Sequence, residues 1–312
     1  MRAVEPTLEN VAMAAAMLAK GGLVVVPTET VYGVAADATN PKAVARLYEA
    51  KGRPRENPLI VHIACLDDLE RVASHVSPDA RRLAERFWPG PFTMVLPKSE
   101  LIPDIVTAGL PTVAVRYPKH PVAASLITLT GKPLAMPSAN PFQRLSPTRV
   151  EHLDPELLAK TDLVLDGGPC VVGLESTVVD LVEDPPKVLR PGAVTRGEIQ
   201  AAIGRPLGTV PPGGSKGPRR SPGTYPRHYA PHAPLVLVDR APEGSFALVF
   251  GEPSGPNQIR MPKDPGPYGA SLYAALHTLD ARRPEAIYVE RPPATAHWDA
   301  VRDRLERAAA PE

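Results

Sequence analysis

Cysteine is nearly missing from this chain: Cys65 and Cys170 are the only two among 312 residues. They stand far apart and in no C-x-x-C pattern, so neither a disulfide framework nor a cysteine zinc site is indicated, and Cys170 reads as a packed small hydrophobe. No apolar run reaches the roughly 20 residues a membrane-spanning helix needs. The opening stretch carries Glu5 and Glu9 in an Ala/Met-rich helical pattern with no basic leader region. The expectation is a soluble, cytoplasmic protein with no membrane partner. A formal net charge of +1 excludes a globally basic polyanion binder, so any RNA contact would be weak and confined to a local patch. Neither G-x-G-x-x-G nor G-x-x-x-x-G-K-[ST] occurs, which excludes the two glycine-rich fingerprints for phosphate.

What is present is a 43% hydrophobic chain, enough for a real core and long enough for one large or two ordinary domains. Its 40 prolines lie mostly between apolar segments and suggest rigid loops rather than disorder. Strand-like runs at 23–26, 59–63, 93–96, 112–116, 134–136, 163–165 and 177–181 alternate with helical stretches near Asn40-Pro41, Asp67, Pro78, Pro121 and Arg196. That alternation predicts an α/β fold over residues 1–207. Residues 208–234 turn to Pro and Gly, with Lys216, Arg219, Arg220 and Arg227 and no acid, and read as a basic linker. Tyr225, Arg227, His228 and Tyr229 bring more binding chemistry than a tether requires. Strands at 235–238, 246–250 and 287–289 and helices at 268–282 and 298–309 make 235–312 a small Rossmann-like domain to which no nucleotide site is assigned.

Four strand-linked polar clusters point to one convergent site. Lys51-Gly52-Arg53-Pro54-Arg55-Glu56-Asn57-Pro58 runs into Leu59-Ile60-Val61 and ends on His62. Cations at a strand edge suit phosphate oxygens, although an isolated cluster of this kind is more often a solvated turn. Gly21-Gly22-Leu23-Val24-Val25-Val26 leads to Pro27-Thr28-Glu29-Thr30, past the carboxyl end of a strand, where open α/β sheets bind ligands. Leu134-Ala135-Met136-Pro137-Ser138 and Leu174-Glu175-Ser176-Thr177 repeat the pattern. Phe87-Trp88-Pro89-Gly90-Pro91-Phe92 reads as a packed aromatic turn.

Together these strings, with PTETVYG (27–33), KGRPRENPLIVH (51–62), FWPGPFTMVL (87–96), PLAMPSAN (133–140), SPT (146–148) and LDGGPCVVGLESTVVD (165–180), resemble the YrdC-like family. The resemblance is closer to its two-domain members, the L-threonylcarbamoyl-adenylate synthases, and covers most of 10–205. It implies an open, twisted, mixed sheet with helices around a concave site. It also implies an ATP-dependent condensation of L-threonine and bicarbonate that feeds a downstream tRNA threonylcarbamoyl transferase. Lys51 and Arg53 would be catalytic and hold the phosphates. Asn57, Thr112, Ser138, Ser146, Arg190 and Tyr229 would also lie on the nucleotide side. Thr30, His62, Arg116, Met136 and Ser176 would line the threonine pocket, with Arg116 clamping the carboxylate. Mg²⁺ would accompany ATP, with no organic cofactor and no protein-held metal, and Glu29 and Glu175 would be hydrogen-bonding loop carboxylates. Met136 departs from the smaller residue common there, and Gln143-Arg144 replaces a small, flexible pair before Ser146. Two other readings stay open: an RNA-binding or ribosome-maturation module, and a related carbamoyl transfer to another acceptor.

Overall fold

The computed structural model describes residues 3–209, 220–223 and 225–311. Lys216, Arg219 and Thr224 of the expected linker lie outside the described residues. Nine strands build one mixed sheet: β1 (Val24–Val26), β2 (Gly33–Asp37), β3 (Ile60–His62), β4 (Phe92–Pro97), β5 (Thr112–Arg116), β6 (Leu134–Ala135), β7 (Leu163–Val164), β8 (Thr177–Asp180) and β9 (Lys187–Arg190). Their spatial order is β7-β1-β2-β6-β3-β5-β4-β8-β9. A second sheet holds β10 (Leu235–Val238), β11 (Ala247–Val249), β12 (Gln258–Arg260) and β13 (Ile287–Glu290) in the order β10-β13-β11-β12. All its pairings are parallel, as the Rossmann-like expectation requires. The mixed α/β fold class read from the sequence is the fold observed. Strands β2, β9 and β12 were not anticipated.

Helix boundaries follow local chemistry. Asn40 caps helix Pro41–Lys51, accepting from the Lys42 and Ala43 amides, and Pro41 sits where a missing N–H costs nothing. Gly52 ends it at φ 60°, a left-handed stop that a Cβ would resist. Lys51 is therefore the last residue of a helix rather than part of the loop expected from Gly52, Pro54 and Pro58. Thr195 and Glu198 close a reciprocal capping box on helix Arg196–Ile203. The expected helix at 298–309 is a 3-10 turn, Ala296–Trp298, followed by helix Asp299–Ala308.

The central strands bury their two faces differently. Val61, Met94, Leu96, Val113, Val115 and Val179 point into the main core with Val44, Leu47 and Leu83 of the helices. The alternate residues Ile60, Val95, Ala114 and Val178 form a small separate cluster on the other face. Because side chains alternate along a strand, His62, Thr93, Thr112 and Arg116 share that second face. Register lines them up. His62 pairs with Arg116, Arg116 with Thr93, Thr93 with Val178, and Val178 with Arg190, one row across five strands. The mixed directions bring the last residues of β3, β5 and β9 beside the amino ends of β4 and β8. The site thus lies on a sheet face and is not confined to carboxyl ends. Among the described residues no helix is long and apolar enough to cross a membrane.

Candidate active site

One end of this face is built around Arg116, which is buried. Its Nη1 donates to Thr30 Oγ1 at 2.9 Å and its Nε to the Gly90 carbonyl at 3.3 Å. Its Nη2 lies 2.7 Å from Glu29 Oε1, close enough for an ion pair but off line for a hydrogen bond. Glu29 and Thr30 are held by the turn after β1, where Thr28 Oγ1 accepts from the Thr30 and Val31 amides and donates to the Val31 carbonyl. His62 Nδ1 sits 3.2 Å from the Ile60 carbonyl, and burial with the Arg116 charge pushes its pKa well down, so the ring is neutral. Ser176 Oγ and Thr93 Oγ1 are 2.7 Å apart. Burial pushes the Cys170 thiol up to about 12, an inert packed group.

The other end gathers cations. Buried Lys51 donates through Nζ to the carbonyls of Ser138 and Asn140, and burial, then Arg53, holds its pKa well below the ordinary lysine value. Arg53 donates to Asn57 O at 3.0 Å, Asn57 Oδ1 at 2.6 Å and Pro58 O at 2.8 Å. Burial lowers its pKa to about 10. Arg190 reaches Ser176 O and Oγ at 3.0 and 3.1 Å and Pro222 O at 3.4 Å. The Asn57 side chain therefore orients Arg53, with its Nδ2 buried and unpartnered. Thr112 Oγ1 is likewise buried without a partner, while Ser146 Oγ donates to Glu175 Oε1 at 2.5 Å.

Thr30, Arg53, His62, Arg116, Met136, Ser138, Ser176, Arg190 and Tyr229 line one cavity, whereas Lys51, Asn57, Thr112 and Ser146 stand outside its wall. Glu175, Pro222, Gly223 and His228 also line it, with Val31, Leu59, Ile60 and Pro137. Its volume, over positions a water centre can take, is about 50 Å³. At ~10–15 Å³ per water, that holds a few waters and no nucleotide. Tyr229, at φ 60°, lies with its hydroxyl buried and unpartnered. Burial, then Glu175, raises its pKa. Burial takes the His228 imidazole down to about 3. Arg227, expected among the binding residues of the linker, donates to the Ala310 carbonyl at 2.9 Å.

Glu175 has a richer setting than a loop carboxylate. Arg304, from the second sheet's layer, donates through Nε to Oε2 at 2.7 Å, and Tyr273 OH lies 3.1 Å from the same oxygen. Burial opposes its charge, but Arg304 and Arg190 outweigh burial and keep the carboxyl below its ordinary range. Arg304 and Tyr273 had no assigned role in the sequence, whereas His228 belonged to the linker cluster noted for its binding chemistry. In an amphipathic stretch such as Arg302-Asp303-Arg304-Leu305-Glu306, Arg304 reads as one more solvated charge, and only its position toward Val301, Leu305 and Ala308 hints at burial.

Two family models match. One, described as "Telomere recombination", spans residues 16–192, and the threonylcarbamoyl-AMP synthase C-terminal domain spans 194–310. The threonylcarbamoyl-AMP synthase of Bacillus subtilis is 40% identical over 96% of this chain and 93% of its own. That of Pyrococcus abyssi is 46% identical over 74% of this chain and 68% of its own. A crystal structure of P. abyssi Sua5 complexed with L-threonine superposes with a TM-score of 0.90 at 38% identity, covering 97% of this chain and 95% of that one. The sequence likeness and the shared two-domain fold thus run along nearly the whole length, and the chain belongs to the threonylcarbamoyl-AMP synthase family.

Proposed function

We propose that this chain condenses L-threonine, bicarbonate and ATP into threonylcarbamoyl-AMP and releases pyrophosphate. The observation that carries the reading is charge. Lys51, Arg53, Arg116, Arg190 and Arg304 are buried around one cavity, and among the described residues the carboxylates paired with them are Glu29, Glu175 and Asp303. A surplus of buried cations favours binding of anions, and the three substrates bring a triphosphate, a carboxylate and bicarbonate. The Arg116 fork suits the threonine carboxylate, with Thr30, neutral His62 and Ser176 around the rest of the amino acid and Met136 supplying backbone contact. Arg53 and Arg190 lie on the phosphate side, and an arriving phosphate favours the charged form of Lys51, whose pKa burial and Arg53 hold below its ordinary value.

The threonine nitrogen attacks the bicarbonate carbon and water leaves, giving a carbamate. A carbamate oxygen then attacks the α-phosphorus, and the bond to the bridging oxygen of pyrophosphate breaks. Positioning and charge neutralisation dominate such transfers. Mg²⁺ arrives with ATP, held chiefly by phosphate oxygens and water. Glu29 and Glu175 are engaged by Arg116 and Arg304, so the donor set favours that mode over a protein cage. The segment bearing Pro222, Gly223, His228 and Tyr229 must swing away for a nucleotide to enter the small cavity, and its return excludes water from a labile adenylate. The product passes to a tRNA-modifying transferase in the cytoplasm, with at most weak RNA contact by this chain.

Pyrophosphate release, with threonine and bicarbonate omitted in turn, tests the reading. Release should fall to background in both omissions, and release indifferent to both would overturn it. Tight, salt-sensitive RNA binding without any need for threonine would favour the RNA-binding alternative.

A further inference from the structure

Arg304 belongs to helix Asp299–Ala308 of the second domain, yet its guanidinium is 1% exposed and lies against the first. Its hydrogen bonds beyond its own helix go to Glu175 and Pro191, at the site and its frame. Nε meets the Glu175 carboxylate at 2.7 Å, Nη2 the Glu175 carbonyl at 3.2 Å and Nη1 the Pro191 carbonyl at 2.9 Å. The Tyr229 ring lies 5.1 Å from its guanidinium carbon, within cation–π range. Asp303 fixes the fork from the side, accepting from Arg304 Nη1 at 2.8 Å and from Arg307 Nε at 2.9 Å. Arg307 in turn donates to the Tyr225 carbonyl at 2.6 Å. Two turns of this helix therefore hold the cavity wall and the segment that closes it.

The electrostatic consequence concerns Arg190. Glu175 and Arg190 both line the cavity, and Arg190 anchors to Ser176, the next residue along the chain. A carboxylate left alone in a buried cationic site would turn to the nearest guanidinium and would repel phosphate. Arg304 occupies Glu175 from the far side, while Tyr273 and Ser146 take its remaining oxygen sites. The Arg190 side chain bonds only to Ser176 and Pro222 among the described residues and stays available to an incoming anion. The bond to Arg304 and the cation–π contact with Tyr229 use different parts of one rigid group, so a single side chain sets both.

We infer that Arg304 is a cross-domain positioning residue for the nucleotide: it neutralises Glu175, leaves Arg190 for phosphate and seats Tyr229 over the cavity. The second domain is then an electrostatic component of the synthase site rather than an appendage. This rests on the adenylate-forming reading above.

The full-length chain tests it through four variants: Arg304→Met, Arg304→Lys, Glu175→Gln and Arg304→Met with Glu175→Gln. Arg304→Met should raise KM for ATP about tenfold or more, the scale of coupling within one buried network, while KM for threonine moves less than twofold. Arg304→Lys keeps the charge without the fork and should recover only part of the loss. Glu175→Gln added to Arg304→Met removes the stranded carboxylate and should bring KM for ATP back toward the parent value. If Arg304→Met does not fold, the double variant Arg304→Met with Glu175→Gln, which strands neither member of the ion pair, carries the comparison with the parent and should bind ATP nearly normally. Equal rises in both KM values, or no recovery on adding Glu175→Gln, would reduce Arg304 to a structural ion pair and overturn the inference. A parent chain that ignores threonine and bicarbonate would instead overturn the reaction, so the two failures are distinguishable.

Discussion

At the scale of single residues the site is a set of cations whose neighbours define their tasks. Lys51 gives hydrogen bonds only to carbonyls and sits outside the cavity wall, so it meets phosphate after a small advance. Lys51→Met should slow adenylate synthesis by a factor of about 10²–10³, the loss seen when one preorganised electrostatic donor is removed. Arg53→Ala should cost a similar factor and some stability as well, because three carbonyl or amide acceptors of its own loop lose their donor. Steady-state rates with urea midpoints separate the two, and near-normal turnover in both variants would remove these residues from the phosphate site. Arg116→Lys keeps the ion pair with Glu29 but gives up the fork, so calorimetry should find threonine binding weakened more than ATP binding. Equal losses for the two ligands would move Arg116 out of the amino-acid pocket. Lys51, Arg53, His62 and Arg116 were singled out by the family resemblance, because on placement alone a basic cluster reads as a solvated turn, a strand-end histidine as a packed ring and an arginine as a surface ion pair. Arg304 was not, because its partner is Glu175, 129 positions away, and no local pattern records a contact of that range.

At the scale of elements, legibility followed the length and contrast of the apolar pattern. Strand β5, marked by its β-branched Thr112, Val113 and Val115, was placed at its observed limits, whereas β2 was not anticipated. Its residues Gly33-Val34-Ala35-Ala36-Asp37 are buried on both sides, so no alternation marks them, and small residues carry little strand preference. The linker shows the converse: a segment read as Pro/Gly tether has Gly223 packed into the site. Its φ is +76°, and an added Cβ would fall 2.2 Å from the Tyr229 hydroxyl and 3.0 Å from Arg190 Nη1. Gly223→Ala therefore meets both a backbone penalty and a blocked seat for Tyr229. The expected outcome is less intact adenylate per pyrophosphate released, because a displaced cover admits water, with threonine affinity unchanged. An unaltered adenylate-to-pyrophosphate ratio would make this segment a passive strap.

At the scale of the whole molecule, two α/β layers meet over one polar face, and the meeting buries histidines that cannot charge where they are. His152 and His277 stack at 4.2 Å across the contact, with His152 pushed down to about 4 by burial and the neighbouring His277, and His277 also lowered by burial. His228 falls to about 3, again chiefly by burial, and His62 and His120 are lowered for the same first reason. In the unfolded chain each titrates near 6.5. Between that value and the folded ones the unfolded state binds more protons, so stability is fully present above pH ~6.5 and drains away as pH falls through the folded values. Glu175 and Asp280, both held below the ordinary carboxylate range, add losses of the same sign at lower pH. The urea midpoint should therefore be flat from pH 8 to about 7 and decline between about 6.5 and 4, before ordinary carboxylates are fully protonated. His152→Asn should make that decline shallower, because it removes one of the proton sites the folded contact refuses while keeping a short polar side chain beside His277. A midpoint as high at pH 4.5 as at pH 8, or an unchanged slope in His152→Asn, would mean that the two layers part or hydrate enough to let these rings charge in place.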